Sequence, residues 1–586
     1  MRNFKSLLAL PPLLPLFMTC VPIPAPAQTG NRIQNVLLIT GASSEEDLDE
    51  QELERFEGFL AHPLEINLVS RSRLVSSGLL SQYQAASLLD YRSRYGDVLS
   101  FSELAAIEGF GQEFTAAIKP FVSLSSRSLP GVPASDSLKI RHDLSGRVAF
   151  KGESFHYGTK YKLSLGRIGE ASMAARSYYG DERKFPPSSR SANITLYGKR
   201  ILGKAIIGDY NLRLGQGLSL WSGMSLTGFS SSASFSRKPS GLSPSWSWSG
   251  IGSHRGVAAD FQSGRFTAIT FLSFPGLKER MAGGSLGFLA GNGQISLSFW
   301  RGSSAGKASG DFRWNIYGID LFGEIAYDIV SGSTAGVVGA SSLLGEGWRI
   351  NGVARVYPSS FDSSFSGGVR SWTKTSDERG VAIGLERYGA ALAADLAQKL
   401  SDRSRRQLKV FLKVPLQVTG KSVLTAKLTE RYRPYEDKIM CKTGCRIDLD
   451  WSSAGISARY GEGDGDAWRA RFRLESVLCK GLSGLTYLDC GHKTDRWSGY
   501  LRGTVFLVDN WDDRIYSYER DAPGNFTVPA YYGRGYSLSA AGGLKLRTAR
   551  RKILRIYLRV SCVSYPFMAE PKPSATEAKL QALLAI

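Results

Sequence analysis

In Ile107-Glu108-Gly109-Phe110-Gly111, two glycines flanking one residue permit a tight turn whose backbone can approach a ligand closely, and the helix expected next aims unpaired N–H groups at that point. Such a turn suits an anion. Lys119, Arg92 and Arg94 are the cations close enough in sequence to assist, and Gly78 marks the corresponding turn one hairpin earlier. Further on, Asp209, Asn211 and Arg213 alternate with Tyr210 and Leu212 and so share one face of a strand. An ion pair of Asp209 with Arg213 that stiffens the fold is the simpler reading of this set, ahead of a ligand site. No phosphate-binding loop, nucleophile elbow or zinc-protease motif stands in the chain, so no enzyme is expected. The five histidines, His62, His142, His156, His254 and His492, are scattered, and neither a metal nor a cofactor is expected.

The turn glycines need short helices to hold them. Apolar residues recur at helical spacing in three blocks: Ala85, Leu88 and Leu89; Leu104 and Ile107; Phe114, Ala117 and Ile118. Ser100 with Glu103 is a capping-box signature, and Pro120 stops the last block after Lys119. With Ile66-Asn67 opening the module, Leu88-Leu89-Asp90-Tyr91-Arg92 and Tyr95-Gly96 closing one helix, and Lys119-Pro120-Phe121-Val122 at its end, residues 66–124 resemble a tandem helix-hairpin-helix domain of the competence-protein ComEA type. That resemblance implies a non-specific DNA-binding module with Gly109, Phe110, Gly111 and Lys119 at the phosphate, and Gly78, Arg92 and Arg94 beside it. Where the family has Pro-Gly-Ile-Gly in the first hairpin, this chain has Gly78-Leu79-Leu80-Ser81. Charge works against tight binding: five bases in residues 66–124 meet five acids, and duplex affinity runs mainly on Lys and Arg releasing counterions. A module that docks on a protein partner, or plugs a pore, fits these residues as well.

Residues 1–27 read as a secretory signal peptide, with Arg2 and Lys5 before the apolar run and Ala25-Pro26-Ala27 at the cleavage site; a lipoprotein signal ending at Cys20 is the second reading. Removing Arg2 and Lys5 takes the net charge from +21 to +19. Residues 28–65 form an acidic helical lead-in, and the stretch from Glu45 to Glu57 is expected as an exposed amphipathic helix. Residues 28–125 carry seven bases and fourteen acids, a balance of −7 that leaves +26 for the rest.

After a Ser- and Pro-rich linker at 125–137 the periodicity changes from 3.6 to 2. Trp468, Ala470, Phe472 and Leu474 alternate with Arg469, Arg471, Arg473 and Glu475. Leu408, Val410 and Leu412 alternate with Gln407, Lys409 and Lys413, Ile325 and Tyr327 with Glu324 and Asp328, and Leu554, Ile556, Leu558 and Val560 with Arg555, Tyr557 and Arg559. Residues 138–586, dense in Gly and Tyr and free of helical interludes, therefore predict a transmembrane antiparallel β-barrel with a polar lumen and about 18–22 strands. The fold class is α + β multidomain, a small all-α module followed by the barrel. Glu577 to Leu584 is expected to be the closing strand.

Two stretches carry a second resemblance. Ile207-Gly208-Asp209-Tyr210-Asn211-Leu212-Arg213-Leu214-Gly215-Gln216-Gly217 with Leu218 to Gly223, and Asp513-Arg514-Ile515-Tyr516-Ser517-Tyr518-Glu519 with Val528-Pro529-Ala530-Tyr531-Tyr532-Gly533, resemble Bacteroidota outer-membrane barrels that bear an N-terminal helix-hairpin-helix domain. The resemblance implies a cell outer membrane location with the module in the periplasm. It also implies contact with lipid and lipopolysaccharide, insertion by the barrel-assembly machinery, and a role in DNA uptake or envelope tethering. Asp209, Asn211 and Arg213 are expected to face the lumen, and residues 230–249 to form a surface loop open to protease. A basic lumen would gather anions, unless its charges are already paired. Cys441 and Cys445, separated by Lys442-Thr443-Gly444, are the most plausible local disulfide in an oxidising compartment.

Overall fold

The computed structural model describes residues 32–126 and 140–586, apart from short stretches within them, the longest being 454–466, 275–279 and 548–551. The expected signal peptide and nearly all of the expected linker lie outside the described residues.

Alternation does what it predicts. Trp468 and Leu474 are 59% and 48% exposed on the outer face, whereas Arg471 and Arg473 on the same strand, Ala467–Leu478, are buried inside. Leu297, Ile325, Ile383, Leu501 and Leu558 continue the apolar exterior around the wall. No helix among the described residues is long and apolar enough to cross a membrane. The strands pair with their chain neighbours in antiparallel ladders and close between Ala575–Ala585 and Ile140–Lys151, so no open sheet edge remains. The expected closing strand is in place.

The wall counts 24 strands, more than the 18–22 expected. The excess follows from the turns: Gly264, Gly318 and Gly389 sit in two-residue connections with positive φ, so many hairpins use less chain than the estimate allowed. Strands Leu202–Arg213 and His254–Ser263 pair directly, and the short strand Gly241–Pro244 lies against the end of the former, beyond the wall.

The three longest connections, 214–253, 358–377 and 509–532, all leave from the end of the barrel opposite its termini, and all fold inward. Residues 230–249 are therefore not an open surface loop: Ser234, Phe235, Arg237, Leu242, Ser247 and Trp248 are buried. Leu218, Phe229 and Phe235 pack with the inward-facing wall residues Phe322, Val337, Val353 and Phe411, which makes part of the lumen an apolar core instead of a polar channel.

Residues 32–126 fold as helices Arg32–Thr40, Glu50–Ala61, Arg71–Ser76, Gln82–Tyr95, Phe101–Ala106 and Gly111–Ile118, the last four making two hairpins. Capping boxes start the second and third of these four, Ser81 with Gln84 and Ser100 with Glu103. The Tyr91 hydroxyl and the Leu99 N–H both donate to Glu103 and hold its carboxyl below the usual range. Leu64–Glu65 pairs in parallel with Val122–Ser123 and brings the two ends of the module together. Asn67 locks that clasp by exchanging hydrogen bonds with Val98 and donating to the Leu124 carbonyl. The module's core, from Val36 to Val122, contains no residue of the wall.

Candidate functional site

The module sits within the barrel, and its attachments to the wall are polar. Glu45 accepts from Arg471 at 2.7 Å, and Glu52 lies 3.6 Å from Arg213. The Ser72 hydroxyl donates to Asp260 at 2.7 Å, and the Ser72 carbonyl accepts from Lys204 at 3.3 Å. Arg71 reaches Gln294 at 3.0 Å, and His62 meets Asp143 at 3.3 Å. Arg73 stacks 4.4 Å over the Tyr197 ring. Burial pushes the Arg71 guanidinium below its ordinary pKa, and Asp260 partly offsets this. These partners come from widely spaced strands, so the module is held around much of the circumference. Lys238, from the inward connection 214–253, donates to the Ile39 carbonyl and so ties the module to the loops from the other end. Burial, with Arg313 and Arg349 nearby, brings the Lys238 pKa down to about 8.

The expectation of an exposed acidic helix is thereby corrected. Leu53 and Phe56 enter the module's core, and Glu45, ahead of helix Glu50–Ala61, and Glu52 within it face lumen arginines, where opposite charges attract more strongly than across water.

The loops are fixed by a different chemistry. Glu324, on strand Ile319–Asp328, accepts the backbone N–H groups of Gln216, Leu218 and Ser219 at 2.6, 3.0 and 3.0 Å. Lys307 donates to the Leu218 carbonyl at 3.2 Å and to Ser366 at 2.6 Å, and so joins connections 214–253 and 358–377. Arg355, fully buried, donates to Glu378 at 2.6 Å and to Asp395 at 2.8 Å. Asp489 takes Arg502 at 2.7 Å and Arg520 of connection 509–532 at 3.0 Å. Much of the lumen's positive charge is therefore paired within the protein.

The hairpin residues are largely engaged inside the module. A Cβ on Gly78 would lie 2.6 Å from the Arg55 guanidinium, and one on Gly109 would lie 2.8 Å from the Tyr83 ring. Phe110 is buried, and Gly111 keeps an open face. Arg92 donates to the carbonyls of Ile66, Asn67 and Val69, so it braces the module's backbone. Arg94 pairs with Asp90 at 3.0 Å, and Lys119 stands 5.4 Å over Phe101. Burial and the neighbouring Glu108 carboxylate raise the Tyr83 hydroxyl pKa, which places an acid beside the Gly109 turn.

The polar trio separates. Asp209 shares the outer face with Ile207 and Val257 and binds Arg255 at 2.9 Å. Arg213 turns inward to Glu52 and stacks 5.4 Å over Trp221. Asn211 lies in register with Ser243. The expected Asp209–Arg213 pair fails because the strand leaves the wall beyond Tyr210, which ends the alternation that would have aligned them. Cys441 and Cys445 are free; four residues apart on strand Lys438–Ser452 they stand about 13 Å from each other, too far to bridge. Glu45, Glu52 and Asp260 carry the module's docking and Glu324 anchors the loops, and the sequence signal for the first two is the opposite charge of the lead-in and the barrel.

A closed 24-strand barrel with an apolar exterior is the architecture of an outer-membrane protein. Known structures resemble it at the level of the barrel. A chain of the E. coli P pilus tip assembly intermediate PapC-PapD-PapK-PapG matches with a TM-score of 0.42 and 8% identity, over 78% of this chain and 62% of that one. The P pilus usher (PapC) translocation pore matches at 0.34 and 9%, over 76% and 99%. Pseudomonas aeruginosa OccK3 (OpdO) matches at 0.26 and 8%, over 76% and 95%. This chain thus spans under two thirds of the first of these. No family model and no curated protein matches it.

Proposed function

We propose that the protein is a gated outer-membrane channel whose helical module, residues 32–126, is a removable plug. The observation that carries this reading is that the module owns its core and touches the wall through polar contacts, so it can leave without exposing a broken hydrophobic interface. Short turns and barrel termini belong to the periplasmic side of such barrels, so the module enters from the periplasm and a periplasmic protein partner is what releases it. The outward face meets lipid, and the loop end meets lipopolysaccharide. DNA capture has less support, because the Gly78 and Gly109 turns are covered and Phe114, just beyond Gly111, lies 5.8 Å from Lys238 of the inward loops.

The test is a reversible lock. A Cβ on Gly203 of the wall would lie 3.0 Å from the Ser72 Cβ, just under the ~3.5–4.5 Å of a disulfide, so Ser72→Cys with Gly203→Cys, in a background with the native cysteines replaced by Ser, should form a disulfide once the helix gives by about half an ångström. In planar bilayers under mild urea, the reduced protein should open large conductance steps and the oxidised protein should stay shut. Equal conductance in both states would refute the plug. Retention of duplex DNA by the reduced protein alone would restore the DNA reading.

A further inference from the structure

Away from the module, the inner wall carries a second constellation that the gating reading does not use. Strands Ala575–Ala585, Ile140–Lys151, Ser154–Leu165 and Gly169–Arg176 lie side by side. Their register sets Gln581, Arg147, Gly158 and Arg176 in one row and Lys579, Ala149 and His156 in the next. Trp248 fills the space over Gly158, the small side chain of Ala149 leaves room in the second row, and the inward connection 509–532 roofs it. The result is a cavity of about 50 Å³, near the end from which the long connections leave.

Its lining is built for negative charge. Arg147, Arg176, Arg559 and Lys579 converge on it, with His156 between them. Three carboxylates reach the cluster: Asp521 takes Lys579 at 3.0 Å, Glu577 takes Arg559 at 2.7 Å, and Glu519 also binds Arg559. His156 is 6% exposed, and its Nδ1 is buried with no hydrogen-bond partner; the Arg559 Nε is likewise buried without an acceptor. A buried nitrogen left in that state is unfavourable, and an acceptor taken up beside it would offset the loss.

The cations are also held in place. Arg147 stacks 4.0 Å from the Trp248 ring and donates to Asn525, which donates in turn to Gln581 at 2.7 Å. Thr527 and Asp521 fix Lys579 from the loop side, at 2.8 and 3.0 Å. Guanidinium groups fixed in this way match the oxygen geometry of carboxylate and phosphate. The volume exceeds the ~10–15 Å³ that one water requires and suits the head of a small oxyanion.

We infer that this cavity is a binding site for a compact oxyanion, a phosphate or a carboxylate, held between the wall and connection 509–532. The site lies on the wall and a loop, so it stands or falls independently of the plug.

Calorimetry of the full-length protein in detergent and low-salt buffer tests it, with inorganic phosphate, glucuronate and uncharged methyl glucoside as probes. At least one of the two anions should bind saturably, one per chain, and the glucoside should not. Phosphate alone would identify a phosphate site, and glucuronate would identify a carboxylate site. Arg176→Gln should weaken binding tenfold or more, and Arg147→Gln should do the same if it remains folded by heat-modifiable migration. Binding should be equal in the oxidised and reduced forms of the locked protein, whatever their conductance. No saturable binding of either anion, or unchanged binding in a folded Arg176→Gln protein, would overturn the site.

Discussion

The two halves of the lumen are filled by opposite means. Toward the barrel termini the filling is a helical module whose apolar residues face one another and whose outer surface offers Glu45, Glu52, Arg71 and Ser72 to polar partners on the wall. Toward the other end the filling is three connections anchored to the wall at both ends, and their side chains share apolar cores with it. Leu218, Phe229 and Phe235 pack among Phe322, Val337 and Phe411, and Tyr531 packs against Phe506 and Leu485. Releasing the first exposes polar surface to water at little cost, whereas releasing the second exposes hydrocarbon. In the plug proposal the module is therefore the part that moves, and the loops narrow a channel they never leave.

Removing one large ring from each half tells them apart with the largest effect. Phe235 is 1% exposed among wall residues, so Phe235→Ala should cost the barrel about 3–5 kcal/mol and lower the temperature at which it loses its heat-modifiable migration. Phe121, fully buried and edge-on to Phe56 at 5.1 Å, belongs to the module alone. Phe121→Ala should open conductance while leaving the barrel's migration unchanged. If both variants weaken the barrel alike, the two halves are one cooperative unit and the comparison fails.

A smaller effect is expected from the docking contacts. In Glu45→Gln the Arg471 guanidinium keeps Asp450 at 2.6 Å, so the loss is that of one charged hydrogen bond and not of a stranded charge, about 1.5–3 kcal/mol. Amide exchange in the module should quicken, exchange in the wall should not, and channel opening should need less urea. An unchanged urea midpoint would mean that the pair contributes nothing to docking.

What the sequence made legible was whatever repeats locally. The alternation around Trp468 and Arg471 marks lipid and lumen faces correctly because a period of two survives wherever a strand stays in the wall. Ser100 with Glu103 marks a helix start because capping is settled within four residues. The in-folded connections were illegible because burial of Phe235 or Trp248 depends on partners such as Gly384 and Gly158, far away in the chain, whose missing side chains make the space. Asp209 and Arg213 were misjudged for the same reason: the strand departs from the wall between them, and no local pattern records that. The module's place inside the barrel did leave a trace, in an acidic segment of −7 joined to a basic one of +26, but charge balance gives attraction without geometry.

The smallest effect tests where the two fillings meet. Lys238 belongs to the loops, donates to Ile39 of the module, and has its pKa brought by burial down to about 8 from an ordinary value near 10.5; in the plug proposal, departure of the module returns it to water. Between those values the released form binds more protons than the docked form, so docking strengthens as pH rises through the window, by up to about 1.4 kcal/mol per pH unit. Below pH 8 both forms are protonated, and the burial penalty is present in full but no longer varies. At fixed mild urea the open fraction of channels should therefore fall between pH 8 and 10, and Lys238→Met should flatten that slope while leaving other titrations, such as those of the tyrosines, in place. A slope that survives Lys238→Met would show that the loops and the module do not communicate through this contact.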